Sequence, residues 1–574
     1  MILKCFIVRS RALVGGSLLV MLVLLPTLFA NAYEIPSWIH TYWQNGQERA
    51  LKNQLRIEAK KQESNPVFSY WLGKIYLAQG KADSARMAFN EVKLKVEGGY
   101  LSSIGLALLE SLNGDNKKGQ LELKKLYYDN NLKNGFEKCQ LALAFGKIGD
   151  LNSCDELISQ ACAVLTDQPM IFMYAGDVYA ELDVQYKDGT LLGKACGKYE
   201  QVIYKDKTNI PARLAIAKAY TGGRNFGEAK RLLQEVFALD STSIIGHKLL
   251  GELCYLTGAY AEASKNYSYY ADKGNLDQNE MEKYVNILWF NKEYSKANKL
   301  IKQLLTLGSK SEVLLRLYAY TCAETKQGPE GLEAMRSFFN RRTVIDSSRL
   351  IASDFDYYGR LLAATGKDSL AIIQYRKSLS LDSTQYNLYE QIAKSAEKMK
   401  DYFQAVDAYN GLIKRKTNTP SSIFFQKGRN LMLIIDLSSV KADTAATSKY
   451  LKEAVLSFQK VIDLTPNSHL GYQWQGRALS ALDPETTKGL AKDSYLKAVS
   501  LLEAKNQPEK YKQDLIEGYR YLGYFNYLLY DKSKVEKNQD QMTTYKADAT
   551  AWWQKVLTLD PENTIAKQAI SALK

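Results

Sequence analysis

Small residues recur along this chain at a fixed interval, each midway through a stretch whose apolar positions follow a helical period. They are Gly73, Ala107, Ala142, Gly176, Ala217, Gly251, Val285, Ala319, Gly359, Ala393, Gly428, Gly476 and Gly523, and most intervals between them are 34 or 35 residues. A second small residue follows 12 positions later, as at Ala85, Gly119, Cys154, Ala229, Ala263, Ala297, Ala371 and Ala405. Four positions further comes a large apolar or aromatic residue, as at Phe89, Leu233, Tyr267, Tyr375 and Tyr409. Such a pattern favours a helical repeat over a strand-rich chain, and a scarcity of Pro (11 in 574 residues) agrees with it. The longer intervals reflect insertions near 181–194, 340–348, 436–448 and 503–511, and a Lys-rich one at 531–546 reads as an extended helical turn or solvated loop.

The pattern has a physical basis. Two helices cross closely only where the facing side chains are small, and no single unit buries its apolar face alone, so the large residue should fill the space between neighbouring units. Between helices, Gly80 and Gly366 suit the left-handed position that ends a helix, and the Asp or Ser that follows is expected to cap the next. Upstream, 46–63 matches a second helix, so Trp38 to Trp43 is expected to begin a degenerate first unit. Downstream, 564–574 is a half-unit suited to a terminal cap.

The chain resembles the tetratricopeptide-repeat family. The best matches to its unit are Trp71-Leu72-Gly73 with Tyr76, Ala85 and Phe89, and Tyr358-Gly359 with Leu362, Ala371, Tyr375 and Leu381-Asp382-Ser383; Ala549, Trp553, Leu557 and Asp560-Pro561 fit a second helix. The resemblance implies an all-α, right-handed α-solenoid of about fourteen helix-turn-helix units with a C-terminal capping helix, the first helices lining the inner face. Phase is nearly strict over 33–341, and the longer insertions fall in 342–574, suggesting two arrays.

The first 32 residues read as a cleaved signal peptide, with Lys4, Arg9 and Arg11, then an uncharged run from Ala12 to Ala30, then Ala30-Asn31-Ala32. The alternative is an uncleaved membrane anchor. Cleavage before Tyr33 would leave 542 residues and a net charge of +11, against +14 for the whole chain. No later stretch is long and apolar enough to span a membrane. An exported, most simply periplasmic, protein is expected.

Catalysis has little raw material. Only three His occur (His40, His247, His469), far apart, and there is no phosphate loop, dinucleotide fingerprint, zinc-protease motif or C-x-x-C pair. No cofactor or metal is expected. Six cysteines lie beyond the leader, and Cys154, Cys162, Cys254 and Cys322 occupy repeat positions where a small apolar side chain is wanted, which favours buried free thiols over a Cys139–Cys154 or Cys162–Cys196 bridge.

Recognition is therefore expected on the first helices. The family resemblance points positions 2, 5, 9, 12 and 13 of each unit into the groove; position 9 gives Lys74, Lys218, Arg360, Lys394, Arg429 and Arg477 and position 5 gives Arg316 and Arg520, with Trp289, Tyr320 and Tyr524 as flat surfaces. Such a basic, aromatic-dotted stripe suits carboxylates or an acidic peptide, although Asp356 and Glu390 would partly neutralise it. The expected function is a non-catalytic protein-interaction scaffold of the cell envelope that holds a peptide or partner segment and assists transport, secretion or assembly. The alternative is an accessory that binds an anionic glycan along the same stripe. No nucleic-acid partner is expected, because the charge is dilute and the Tyr residues fall at packing positions.

Overall fold

The computed structural model describes residues 35–574 apart from 45–46, 63–64, 94–98, 165–167, 188, 274–275 and 346–349. The expected signal segment lies outside these residues. Among the described residues there are thirty helices and no strand, and the chain is an all-α solenoid. No described helix is long and apolar enough to cross a membrane.

The chain divides into two compact units, one up to Lys292 and one from Glu293. Unit one begins with helices Ser37–Gln44 and Glu48–Lys61, runs through six helical hairpins from Pro66 to Lys273, and ends on Gln278–Phe290. Unit two begins with Tyr294–Thr306, continues through six hairpins from Glu312 to Leu559, and ends on Thr564–Leu573. Arg341 lies inside a single helix, Gly328–Ile345, so the position expected to divide the arrays is not a break in packing. Insertion length varies there, but a continuous helix carries the chain across it.

All thirteen small anchor residues lie in separate first helices and all are buried. The reason is visible at Phe89. A Cβ on Gly73 would stand 2.3 Å from its ring, and a Cβ on Gly105, in the next hairpin, would stand 2.5 Å from it. The ring is thus clamped between its own first helix and the following one. The same stack recurs with Tyr199 over Gly176, Tyr375 over Gly359 and Phe458 over Gly428. Gly73→Ala should lower stability by about 1–3 kcal/mol despite the better helix propensity of Ala, because Phe89 has no direction of retreat. Urea unfolding of the variant measures it.

Gly80 (φ 70°) and Gly366 (φ 74°) take the left-handed conformation expected of them. The capping expectation needs correction. Asp83 and Asp368 lie in the first turns of their helices, and the residue before the second of these helices is Lys367, which makes no side-chain cap. There the acid meets the positive end of the helix dipole instead. Side-chain caps are found at the starts of first helices, on Asn65, Asn134, Asn209, Ser243, Asp277 and Ser311, and in other repeats an Asp does cap the second helix, at Asp115 and Asp401.

The charged insertion at 531–546 is the extended helical turn of the two alternatives, not the solvated loop. It lengthens two packed helices, Lys512–Val535 and Gln539–Leu559, to 24 and 21 residues. The closing helix Thr564–Leu573 packs against the second of them, as a terminal cap should.

Cys139, Cys154, Cys162, Cys196, Cys254 and Cys322 are all buried and unbridged. Burial pushes the Cys154 thiol up to about 12 and those of Cys196 and Cys254 to about 11. Thiolates are the reactive form, so none of these six should react with a disulfide reagent at pH 8 in the native protein, and all six should react in denaturant; a thiol titration checks this.

Candidate interaction surface

The residues expected to form the stripe divide between the two units. Lys74, Lys218 and Trp289 belong to unit one and the other eight to unit two. Lys218 is exposed on Ile210–Gly222, where the surrounding protein and the nearby Lys248 hold its ammonium below the usual lysine range. Trp289 is half-buried near the end of Gln278–Phe290.

In unit two, most of the cations are already neutralised by carboxylates from the same row of first helices. Arg316 grips Asp354 with two nitrogens, at 2.8 Å and 2.9 Å. The Tyr320 hydroxyl donates to Oδ1 of that carboxylate at 2.7 Å, sharing the oxygen with Arg316 Nε, and Asp354 is fully buried. Arg360 forms a fork onto Asp356 (2.9 Å and 2.7 Å) and reaches Glu324 at 3.3 Å. Burial raises the Asp356 carboxyl while the Arg360 guanidinium opposes the rise. Lys394 pairs with Glu390 one turn away at 2.7 Å. Arg429 donates to Gln426 and lies over the Trp474 ring, and Arg477 covers the same ring at 4.7 Å while binding Glu517 and Asp514. Exposed pairs of this kind contribute little stability, but buried bidentate ones order the surface. What had read as an open basic stripe is a ladder of compensated charges.

The ladder opens at its C-terminal end. Arg477, Arg520 and Tyr524 line one cavity of about 930 Å³, together with Tyr527, Trp553 and Gln568. Two of them come from Lys512–Val535, whose helical spacing places Arg520 and Tyr524 one turn apart on a single face. The last helix, Thr564–Leu573, supplies the opposite wall through Ile565, Gln568 and Ala572. Arg520 is exposed and forms no ion pair among the described residues, and Tyr524 is 41% exposed. Glu517, the cavity's carboxylate, is held by Arg477 and by the Tyr495 hydroxyl at 2.8 Å. The walls thus offer one uncommitted guanidinium, several phenol faces and two side-chain amides. These groups recognise carboxylates, backbone carbonyls and apolar side chains.

Sequence reasoning named three of the residues that meet here and missed Tyr527, Gln568 and the wall from the closing helix. Tyr527 lies seven residues beyond Arg520, two helical turns along the same face, and that period was the available signal.

No family model matches the chain, and no curated protein matches it either. Among solved structures it is similar to the C-terminal part of a TPR repeat-containing protein from Cytophaga hutchinsonii, at 27% identity over 50% of this chain and 98% of that one, with a TM-score of 0.37. A tetratricopeptide repeat protein from Parabacteroides merdae matches at 13% identity over 46% of this chain and 98% of its own, with a TM-score of 0.29. The Cut9–Hcn1 structure of the APC/C matches at 13% identity over 91% and 98%, also with a TM-score of 0.29. The architecture rests on the chain's own clamped hairpins.

Proposed function

We propose that this chain is a protein-interaction scaffold of the tetratricopeptide-repeat type, without catalytic activity, that holds an extended segment of a partner protein at the C-terminal end of unit two. The observation that carries this reading is the 930 Å³ cavity in which Arg520 and Tyr524 remain accessible while the cations before them are tied down. A partner carboxylate would pair with Arg520, and an apolar or aromatic side chain would lie against Tyr524 and Tyr527. An anionic glycan is supported less well, because a run of sulfates or carboxylates needs a run of free cations and the ladder has spent most of its own. Export rests on the basic start, uncharged run and Ala30-Asn31-Ala32 end of the first 32 residues, and an envelope role in transport, secretion or assembly follows from that address.

The test is a photo-crosslinking amino acid at position 524 in the native cell, with adducts quantified by mass spectrometry. One protein should dominate, and Arg520→Glu should cut its yield at least ten-fold without changing the melting temperature. An unchanged yield would refute the site. A salt-released acidic sugar in place of a protein adduct would favour the glycan.

A further inference from the structure

The first-helix face of unit one is already covered, and by the chain itself. Ser37–Gln44 had been expected to open the repeat array as half of a degenerate unit. A first helix of that kind would pack on the hairpins beside it. This one packs on its neighbour Glu48–Lys61 and also reaches across the face to Ile210–Gly222, several hairpins along, and Gln47 just beyond it donates to the Tyr270 hydroxyl at 3.1 Å. Being 8 residues long, about two turns, it is too short to serve as half of a clamped hairpin.

What it covers is a built recognition site. His40 is 2% exposed; its ring stacks on Tyr174 at 4.7 Å, and its Nδ1 lies 2.5 Å from Asp177 Oδ2. Trp43 meets the edge of Trp71 at 5.3 Å, and Trp38 stacks on Phe68 at 6.3 Å. Ile39 is fully buried between them. Beneath lies a polar floor: Lys74 sits 4.4 Å over Trp71, reaches Gln140 and pairs with Glu181. These groups come from three different first helices, Pro66–Ala78, Gly135–Lys147 and Pro169–Tyr186. The fold has therefore placed aromatic walls and a carboxylate where an imidazole and an indole arrive together.

The fit is incomplete. A cavity of about 10 Å³ remains beside the helix, and Trp71 Nε1 and His40 Nε2 are buried without a hydrogen-bond partner. A buried unpaired donor costs about 1–3 kcal/mol. An isolated helix of two turns has little stability of its own. The segment is held by a handful of side chains, whereas every hairpin below it is held by continuous packing on both sides.

We propose that Ser37–Gln44, with Gln47, is a self-ligand, and that the face around Trp71, Tyr174 and Asp177 is a docking site for a partner's short helix carrying an aliphatic residue, a histidine and a tryptophan at the spacing of Ile39, His40 and Trp43. The carboxylate of Asp177 recognises the imidazole and the rings of Phe68 and Trp71 take the apolar side chains. While the chain's own helix is seated, a partner's apparent affinity falls by the fraction of time the face is open. This site shares no residue with the unit-two cavity, so the two readings fail independently.

The experiment uses the full chain and a fluorescein-labelled synthetic peptide of residues 35–47. Hydrogen exchange on the wild type should show 37–44 opening faster than Pro66–Ala78 or Pro169–Tyr186; equal protection would overturn the proposal. The variant Ile39→Ala/His40→Ala/Trp43→Ala should keep the wild-type melting profile and bind the peptide at least ten-fold more tightly than wild type by fluorescence anisotropy. Adding Asp177→Asn should lose most of that gain. An unfolded triple variant would make the helix a part of the core and refute the proposal, as would a folded one that binds the peptide no better than wild type. Peptide binding untouched by Asp177→Asn would overturn the recognition of the imidazole.

Discussion

Glu280→Ala should destabilise unit one by about 3–5 kcal/mol, because it strands a buried ammonium. Lys248 and Glu280 are both nearly fully buried, and Lys248 Nζ lies 2.5 Å from Glu280 Oε1. The same oxygen accepts from the Tyr270 hydroxyl at 2.6 Å, and the other accepts from the Asp277 amide at 3.0 Å to complete a capping box. Truncating the acid removes the countercharge and a helix cap together, whereas Tyr270 keeps its contact with Gln47. The double replacement Lys248→Met/Glu280→Leu should recover most of the loss, short by roughly the 1 kcal/mol of the missing cap. Hydrogen exchange at Ile244–Leu256 and Gln278–Phe290 is the readout of choice. Each hairpin leans only on its neighbours, so a single global transition is not assured in such an array.

Asp354→Ala should cost unit two about 3–5 kcal/mol for a related reason. One carboxylate serves four donors there: two nitrogens of Arg316, the Tyr320 hydroxyl, and the Ile351 amide at 2.9 Å, which opens the helix Ala352–Ala364. Its loss leaves the Arg316 charge and the Tyr320 hydroxyl facing protein rather than water. The experiment also separates structure from recognition. If Arg316 and Tyr320 hold the fold, Arg316→Ala lowers the urea midpoint and leaves crosslinking at position 524 unchanged. A fall in crosslinking at constant midpoint would return them to the binding surface.

How much of this was legible depended on the range of the interaction. The repeat was readable because its demand is local: each first helix must be thin where an aromatic ring from the next helix crosses it, and Gly73 with Phe89 or Gly359 with Tyr375 shows that demand within 16 residues. Cys154, Cys162, Cys254 and Cys322 were readable for a related reason, since they stand at repeat positions where a small apolar side chain is wanted. The basic residues were readable as residues but not as a surface. Arg477 finds Asp514 and Glu517 some 37 and 40 residues away, and nothing in the local pattern distinguishes it from Arg520, which finds neither.

The helix Ser37–Gln44 shows the limit most clearly. Its aromatic content suited a first helix, and the residues after it suited a second, so local patterning placed it in the array. Its partners are Asp177, Tyr174 and, through Gln47, Tyr270. Those contacts exist only once four to six hairpins have stacked and brought distant helices together. Period, helix pairing, turn glycines and the closing cap are properties of neighbouring residues, and any fold this chain adopts must respect them. Which cations are free, which face is covered, and where a cavity opens depend on the summed rotation of many hairpins. Small per-repeat angles accumulate over hundreds of residues, so only the tertiary structure decided where those charges and rings would meet.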